Sequence, residues 1–440
     1  EDAGVVAYDM DGKRLWHRDL GPVLHRWGNG PSPVLYGDLL IVFHGPGTPA
    51  NLMALNKTSG ETVWTSKETA INSPIFGSWS TPLLLRGTRD ELIMPLPGDR
   101  IQGAGLFKSY DPATGKLLWE QPFTGSPGWS RQFPPVVHGN VAIYASGSGE
   151  YDYQGTEKYF TFGGKPVEAD GREVMSWIYS NTNPFYPKNH RPRIWAWNMD
   201  TGKLIWEKDF SEYGRGGNDC GISILDGKLY YSVFFGYATS LKKRRGLPIE
   251  NNGLTACIEP KTGKIVWLTT DYYVTAKCTL SARDGRIYIG GYNKAKEGTN
   301  DRFVWCLDGK DGSLVWKSDP VTSALNVVTV GKRFIFSVAL RGKGNVYDRK
   351  TGKVVDSIGH NYACCRFTMS EPYVLGANMD MIDLSQDGRL VSTGPCIDSR
   401  ECVGSSVSNG RVFYTSQASG LQVSLTGGSE ATRTRYPWQR

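Results

Sequence analysis

The chain has 440 residues, of which 39% are hydrophobic and 21% are charged, and its formal net charge is +7. This composition supports a folded core and excludes a disordered or fibrous protein. The charge is mild for the length, and we interpret the one short basic run, Lys242 to Arg245, as a solvated loop tip rather than a nucleic-acid site. With 53 glycines, 24 prolines, 14 tryptophans and 22 tyrosines, the chain has the composition of a turn-rich β protein.

No run of about 18 or more apolar residues occurs, so the sequence predicts no transmembrane helix. The N-terminal segment EDAGVVAYDM has neither the basic nor the apolar region of a signal peptide, and we expect that any export signal has been removed. The eight cysteines are nowhere spaced as Cys-x-x-Cys, which excludes a zinc ribbon and c-type haem attachment.

One phrase recurs along the chain, and YDPATGKLLW is a clear copy of it. Each copy predicts a β-hairpin: a strand, a polar turn closed by a glycine at positive φ, and a second strand that ends in an aromatic residue. The last two copies are weaker. In chain order the eight copies are Tyr8–Trp16, Ala54–Trp64, Tyr110–Trp119, Trp197–Trp206, Ile258–Trp267, Leu307–Trp316, Tyr347–Asp356 and Asp383–Ser392.

A second hairpin phrase lies between these copies. It occurs at Ser32–Val42, Thr81–Met94, Pro134–Tyr144, Ile222–Val233, Thr279–Gly290 and Val327–Val338, and in fainter form at Phe367–Leu375 and Ser405–Thr415. Two hairpins make a four-stranded antiparallel unit, and such a unit repeating at this length is a propeller blade. We therefore predict an all-β fold, one eight-bladed β-propeller over residues 1–440 with loop insertions at 147–192 and 234–253. The first and last hairpins should together complete one blade and close the ring.

One position in the first phrase is always small or apolar. It lies six residues before the turn glycine, or five in the shorter first copy, and is held by Ala7, Ala54, Ser109, Ala196, Cys257, Cys306, Val346 and Ile382. We therefore interpret Cys257 and Cys306 as small buried hydrophobic residues rather than reactive thiols.

The Ala-x-Asp-x-x-Thr-Gly-Lys-x-x-Trp phrase resembles the tryptophan-docking repeat of the quinoprotein-like eight-bladed propellers, which are named for pyrroloquinoline-quinone dehydrogenases. The resemblance covers nearly the whole chain and implies the same fold. It leaves the function open, because the repeat is shared by the quinone enzymes and by the outer-membrane-assembly lipoprotein scaffold.

In such a propeller, the loops that join the last strand of one blade to the first strand of the next converge on one mouth of the central funnel, where ligand sites are favoured. Converging cations select anionic ligands, and arginine matches a carboxylate with two parallel hydrogen bonds. Six of the eight loops carry a cation: Arg26, Arg131, Arg215, Lys277, Arg366 and Arg400.

Aromatic residues in the same loops offer flat faces for sugar rings: Trp27, Trp79, Trp129, Tyr272 and Tyr273. We therefore expect an anionic small molecule or acidic oligosaccharide in the funnel. The alternative is that several of the arginines form plain ion pairs with local acids such as Asp219, Asp398 and Glu401.

The six histidines include no His-x-His or His-x-x-x-His pair, and no metal site is predicted. His25, His44, His190 and His360 fall on predicted mouth loops. They are candidates for a general acid or base, because imidazole titrates near neutral pH. We place His44 among the ligand-binding residues and expect His25 or His360 to be the catalytic base.

The adjacent cysteines Cys364 and Cys365 allow two interpretations. Adjacent cysteines lie near the cofactor in some quinone dehydrogenases, but the calcium ligands, catalytic aspartate and cofactor-stacking tryptophan of that family are not matched here. The alternative is a disulfide from one of them to Cys396 or Cys402. Such a bridge, with the even cysteine count, favours an oxidising compartment, so we expect a periplasmic or secreted monomer.

Three functions remain open at this point. The first is a lyase for an acidic oligosaccharide, with Arg131, Arg366 and Arg400 as carboxylate clamps. The second is a non-catalytic binding or assembly scaffold. The third is a quinone-dependent dehydrogenase.

Overall fold

The computed structural model describes residues 4–21, 31–45, 50–68, 80–87, 89–97, 104–124, 135–148, 161–162, 165–166, 191–214, 219–235, 253–274, 280–292, 302–321, 327–338, 344–358, 367–370, 372–376, 381–385, 387–388, 391–392, 405–408, 411–415 and 422–424. The chain divides into two compact units, Glu1–Asp271 and Tyr272–Arg440. Within the described residues no helix is long and apolar enough to cross a membrane.

The first unit contains an N-terminal hairpin and four four-stranded antiparallel sheets, which we number blades 1 to 4. The hairpin is β1 (Gly4–Tyr8) and β2 (Arg14–Asp19). Blade 1 is β3 (Val34–Tyr36), β4 (Leu39–His44), β5 (Asn51–Asn56) and β6 (Thr62–Lys67); blade 2 is β7 (Leu83–Leu85), β8 (Glu91–Pro97), β9 (Ala104–Tyr110) and β10 (Leu117–Thr124).

Blade 3 is interrupted by a short separate hairpin. Its four strands are β11 (Val136–His138), β12 (Val141–Ser148), β15 (Arg191–Asn198) and β16 (Leu204–Asp209). The separate hairpin lies between β12 and β15 in the chain and consists of β13 (Thr161–Phe162) and β14 (Lys165–Pro166). Blade 4 is β17 (Asp219–Leu225), β18 (Lys228–Phe234), β19 (Gly253–Ile258) and β20 (Ile265–Thr269). Both predicted insertions therefore separate the second and third strands of a blade.

The second unit contains blades 5 to 7 and a terminal sheet. Blade 5 has an additional strand, β21 (Tyr273–Val274), which pairs with β23; its other strands are β22 (Leu280–Arg283), β23 (Arg286–Tyr292), β24 (Phe303–Asp308) and β25 (Leu314–Lys317). Blade 6 is β26 (Val327–Val330), β27 (Phe334–Val338), β28 (Gly344–Asp348) and β29 (Val354–Ile358); blade 7 is β30 (Phe367–Ser370), β31 (Tyr373–Gly376), β32 (Met381–Asp383) and β33 (Val391–Ser392). The terminal sheet is β34 (Ser405–Ser408), β35 (Arg411–Thr415) and β36 (Gln422–Ser424).

The predicted hairpin turns are confirmed. The glycine of every copy of the first phrase has a positive φ, from 69° at Gly202 to 86° at Gly12. In the second copy, the Gly60 amide donates to the Asn56 carbonyl at 2.8 Å, while the Asn56 side chain accepts the Thr58 and Ser59 amides. Only glycine adopts this conformation without strain, which explains why the phrase is so regular.

The predicted ring closure remains a prediction. The N-terminal hairpin lies in the first unit as a two-stranded sheet, whereas the terminal sheet lies in the second unit. Closure would require β1 to pair with the edge of β35 that does not pair with β34. In the structure β36 pairs with β35 there, with Tyr414 opposite Val423.

The tryptophan that ends the repeat phrase docks on the hairpin turn of the next blade. At four junctions of the first unit its indole N–H donates to a backbone carbonyl: Trp16 to Lys57 at 3.0 Å, Trp64 to Pro112 at 3.2 Å, Trp119 to Met199 at 2.8 Å and Trp206 to Pro260 at 2.8 Å. The ring covers the turn glycine so closely that a Cβ built on Gly202 would lie 2.6 Å from Cγ of Trp119. Glycine is therefore required there for space as well as for φ.

Blade 6 docks on blade 7 with a different ring. Its repeat phrase ends in Asp356 instead of tryptophan, and the Phe334 ring covers the turn glycine Gly388. Phe334 is 5% exposed and comes from β27, the second strand, rather than from the outer strand.

The small position of the repeat is the cross-strand partner of the docking residue. The pairs are Ala7 with Trp16, Ala54 with Trp64, Ser109 with Trp119, Ala196 with Trp206, Cys257 with Trp267, Cys306 with Trp316 and Val346 with Asp356. From Ala54 onward these small residues are at most 1% exposed. A large side chain beside the indole would prevent close docking of the next sheet, so packing explains the series.

Candidate functional site

The candidate site lies at one end of the blades. We call the end that carries the repeat turns the turn end, and the opposite end, where the blade-to-blade connections begin, the loop end. Of the predicted site residues, the structure describes the side chains of His44 and of the platform aromatic Tyr272. The other candidates for catalysis and ligand binding lie outside the described residues: His25, Arg26, Trp27, Trp79, Trp129, Arg131, Arg215, Lys277, His360, Arg366 and Arg400. The predicted disulfide cysteines Cys364, Cys365, Cys396 and Cys402 lie outside them as well.

His44 is the last residue of β4 and lies at the loop end of blade 1. It is 4% exposed, and its Nε2 lies 3.0 Å from the carbonyl oxygen of Gly21, which follows the N-terminal hairpin. Because a carbonyl can only accept, Nε2 carries the hydrogen of this contact. The imidazole thus joins the hairpin to blade 1 at the point where two loop connections begin.

A buried carboxylate lies at the same end of blade 1. Glu68 follows β6, and its side chain is 2% exposed. One carboxylate oxygen pairs with Lys108 Nζ at 2.9 Å, and the other accepts the Tyr110 hydroxyl at 2.7 Å and the Ser66 hydroxyl at 3.0 Å. Burial, and then the charge of Glu68, raise the pKa of Tyr110 far above its ordinary value, so the phenol stays protonated. No motif in the sequence indicates this network, because isolated charged residues are usually exposed.

A second buried carboxylate, Glu91, supports a docking tryptophan at the turn end. It is 3% exposed, and its Oε2 accepts the Ser109 hydroxyl at 2.5 Å and the Trp119 indole N–H at 3.1 Å. Arg89 pairs with its other oxygen at 2.6 Å. The small position of blade 2 is serine rather than alanine because its hydroxyl has this partner. The network orients the Trp119 ring, and both oxygens of the Glu91 carboxylate are used in it.

The cysteines of the small position are inert. Cys257 and Cys306 are each 1% exposed, and neither forms a disulfide. Burial raises the pKa of the Cys257 thiol to about 11 and that of Cys306 to about 12. This confirms their interpretation as small hydrophobic residues.

In the second unit, one predicted platform aromatic packs on another ring. The rings of Tyr272 and Trp305 lie 5.4 Å apart between centroids, and Phe303 lies 5.7 Å from Trp305. The ammonium of Lys317 stands 4.5 Å above the Phe303 ring. Aromatic and cationic side chains therefore pack together at the loop end of blade 5, where Phe303 and Trp305 are buried. The role of Tyr272 as a sugar platform stays a prediction.

The resemblance to quinone dehydrogenases raises the question of whether this chain could hold their cofactor. Within the described ranges, no three His, Cys, Asp or Glu side chains form a group that could hold a metal ion. The described side chains therefore do not by themselves fit a calcium-bound quinone.

Comparisons with known proteins give two kinds of relative. A family model described as outer membrane protein assembly factor BamB matches residues 1–89 and 236–362. The quinoprotein alcohol dehydrogenase PedH of Pseudomonas putida is 34% identical over 125 residues, which cover 27% of this chain and 20% of that protein. The match thus spans about a fifth of the length of that curated relative.

Solved structures are similar over most of the chain. BamB from Moraxella catarrhalis superposes with a TM-score of 0.51 at 12% identity, covering 91% of this chain and 95% of that one. The quinohemoprotein alcohol dehydrogenase from Comamonas testosteroni superposes with a TM-score of 0.50 at 13% identity, covering 83% of this chain and 66% of that one. At these identities the likeness shows the propeller fold alone.

Proposed function

Because this chain has the pyrroloquinoline-quinone-type repeat and the fold of the quinoprotein-like propellers, we propose that it is a binding scaffold that works outside the cytoplasm. Its blades form the frame, and its loop end holds the partner. The partner is another protein of an envelope assembly.

The observation that carries this proposal is the contrast between the two ends of the blades. At the turn end the same tryptophan-on-glycine contact recurs at successive junctions. At the loop end the contacts differ between junctions: Glu68 pairs with Lys108 beyond blade 1, whereas the Phe210 ring after blade 3 stacks 5.4 Å from Tyr231. A repeated frame with non-repeated loops is the usual design of a binding protein.

The comparisons support the same proposal. The matching family model is described as an outer membrane protein assembly factor, and the solved BamB structure has nearly the length of this chain. The dehydrogenase match covers a fifth of its relative. A periplasmic location follows from the proposal and is part of it.

Site-specific photo-crosslinking tests the scaffold proposal. Lys67 and Val63 are both exposed on β6, the first at its loop end and the second near its turn end. A photoreactive amino acid replaces one or the other in the full chain, expressed in its own host, and crosslinked proteins are identified by mass spectrometry. We expect one defined envelope protein to be captured from position 67 and not from position 63. Capture from neither position, or equally from both, would overturn the proposal.

A second candidate function is supported by the charge of the loops. The sequence predicts six cations on the loop connections although the net charge is only +7: Arg26, Arg131, Arg215, Lys277, Arg366 and Arg400. Such a set would bind an acidic oligosaccharide, and His25 or His360 would then be the base of a lyase.

Titration with uronate oligosaccharides tests this candidate. The triple variant Arg131→Ala, Arg215→Ala, Arg366→Ala should lose binding, because it removes three loop cations. The matched control Lys116→Ala, Lys203→Ala, Lys264→Ala removes three exposed cations at the turn end and should bind normally. An absorbance rise from unsaturated product, lost in His25→Ala or His360→Ala, would show a lyase. Dye reduction after addition of quinone and calcium would show a dehydrogenase, and either activity would replace the scaffold proposal.

A further inference from the structure

The junction between blades 1 and 2 contains a buried ion pair. Glu68 reaches across from the end of β6 to Lys108 on β9, with the two side chains 2% and 13% exposed. Tyr110, two residues further along β9, donates its hydroxyl to the same carboxylate. Together with Ser66, these groups satisfy both carboxylate oxygens.

Equivalent positions at other junctions can be identified from the repeat. Glu68 lies four residues after the docking residue Trp64, and Lys108 directly precedes the small residue Ser109. At two other junctions of the first unit the equivalent residues are apolar and belong to one cluster: Leu20, Met53 and Leu55 between the N-terminal hairpin and blade 1, and Phe210, Ala256 and Ile258 between blades 3 and 4. The junction between blades 1 and 2 therefore has polar side chains at the positions where these two junctions have apolar ones.

The physical effect of such a replacement is on specificity more than on stability. Removing two charges from water costs about as much as their attraction returns, so a buried pair adds little net stability over an apolar set. Against a wrong neighbour, however, one charge would be buried without a partner, which is strongly unfavourable. Chains built from similar repeats are prone to wrong assembly of this kind.

We propose that Glu68, Lys108 and Tyr110 form a recognition key that makes blade 2 the required neighbour of blade 1 during folding. At the four junctions within the first unit the tryptophan makes the same contact with the turn glycine, so that contact cannot distinguish one blade from another. The key supplies the difference at the loop end. It concerns assembly of the fold and is independent of the proposed scaffold function.

Refolding of a triple variant tests the key. Glu68→Leu and Lys108→Met copy Leu20 and Met53 from the neighbouring junction, and Tyr110→Phe avoids leaving a buried hydroxyl without an acceptor. The control, Asp38→Asn with Lys57→Gln, removes an exposed pair of the same blade at 3.0 Å. Each full-length variant is unfolded in denaturant and diluted, and the yield of monomer is measured by size-exclusion chromatography beside the thermal midpoint.

We expect the triple variant to keep or raise the thermal midpoint of the parent but to refold to monomer with at least a twofold lower yield. The control should match the parent in both. A triple variant that refolds as well as the parent would overturn the proposal. A lowered thermal midpoint would overturn it too, because the pair would then act through stability.

Discussion

At the scale of single residues, the small position of the repeat decides the chemistry of two cysteines. Cys257 lies between Tyr230 and Trp267 on neighbouring strands, and Cys306 lies between Tyr288 and Trp316. The flanking rings exclude water, and exclusion of water disfavours the thiolate. Since the thiolate is the reactive form, both side chains act only as packing atoms.

Thiol labelling checks this conclusion. At pH 8 we expect an alkylating reagent to leave Cys257 and Cys306 unmodified in the folded chain and to modify both after denaturation, because burial raises their pKa to about 11 and about 12. The variant with Cys257→Ala and Cys306→Ala is the control, since Ala54 and Ala196 hold the same position in other blades. This variant should fold, and after denaturation it should show two fewer labelled sites than the parent chain. Rapid labelling of either cysteine in the native chain would contradict the interpretation.

At the scale of the element, the tryptophan-on-glycine contact is what joins one blade to the next. The contact needs three things at once: a turn glycine at positive φ, an open face above it, and a carbonyl to accept the indole N–H. The repeat motif provides the glycine and the carbonyl within one hairpin turn. Blade 6 shows that the ring need not come from the outer strand, since Phe334 covers Gly388 where Asp356 replaces the tryptophan.

Two glycines of blade 3 separate the effect of docking from that of backbone strain. Gly139 has φ 58° with nothing near a built Cβ, whereas Gly202 has φ 69° under the Trp119 ring. We expect Gly139→Ala to cost about 1–2 kcal/mol from left-handed strain alone. Gly202→Ala should cost about 1–3 kcal/mol more, because its Cβ overpacks the junction.

Chemical denaturation of the two variants measures the difference in the free energy of unfolding. Equal losses of stability would mean that the indole contact contributes nothing beyond the turn.

At the scale of the whole molecule, stability should be limited on both the acid and the alkaline side. The backbone N–H of Lys310 lowers the pKa of Asp308, and that of Val354 lowers the pKa of Asp319. Burial raises the pKa of Tyr288 and of Cys306. The carboxylates stabilise the fold only while they are charged, and the buried phenol and thiol only while they are neutral.

The sign of the pH dependence follows from these directions. The carboxylate contribution is complete above about pH 4 and is lost as pH falls further, since the unfolded chain takes up protons first. The thiol contribution is complete below about pH 8 and is lost as pH rises towards 12, since the unfolded chain releases protons first. Thermal midpoints measured from pH 3 to 11 should form a plateau with a fall on each side. Asp308→Asn with Asp319→Asn should make the acid-side fall shallower, and an unchanged acid side would contradict the assignment.

The repeat architecture was predictable because every signal for it is local. A hairpin depends on a few consecutive residues, so the positive-φ glycines, the small position and the strand pairs are all legible in the sequence. The buried state of Cys257 and Cys306 followed from their place in that repeat. The sequence shows the loop cations only as a recurring residue type in the blade-to-blade loops. Their convergence on one site stays a prediction.

Only the tertiary structure decided which polar residues are buried. Glu68, Lys108 and Glu91 resemble ordinary surface charges in the sequence, yet each is buried against a residue from another strand. The Phe334 ring on Gly388 likewise depends on a contact between separate segments of the chain. The reason is that residues adjacent in the sequence determine a hairpin, whereas the adjoining sheet determines whether a side chain is buried. That sheet is brought into place only when the whole chain folds.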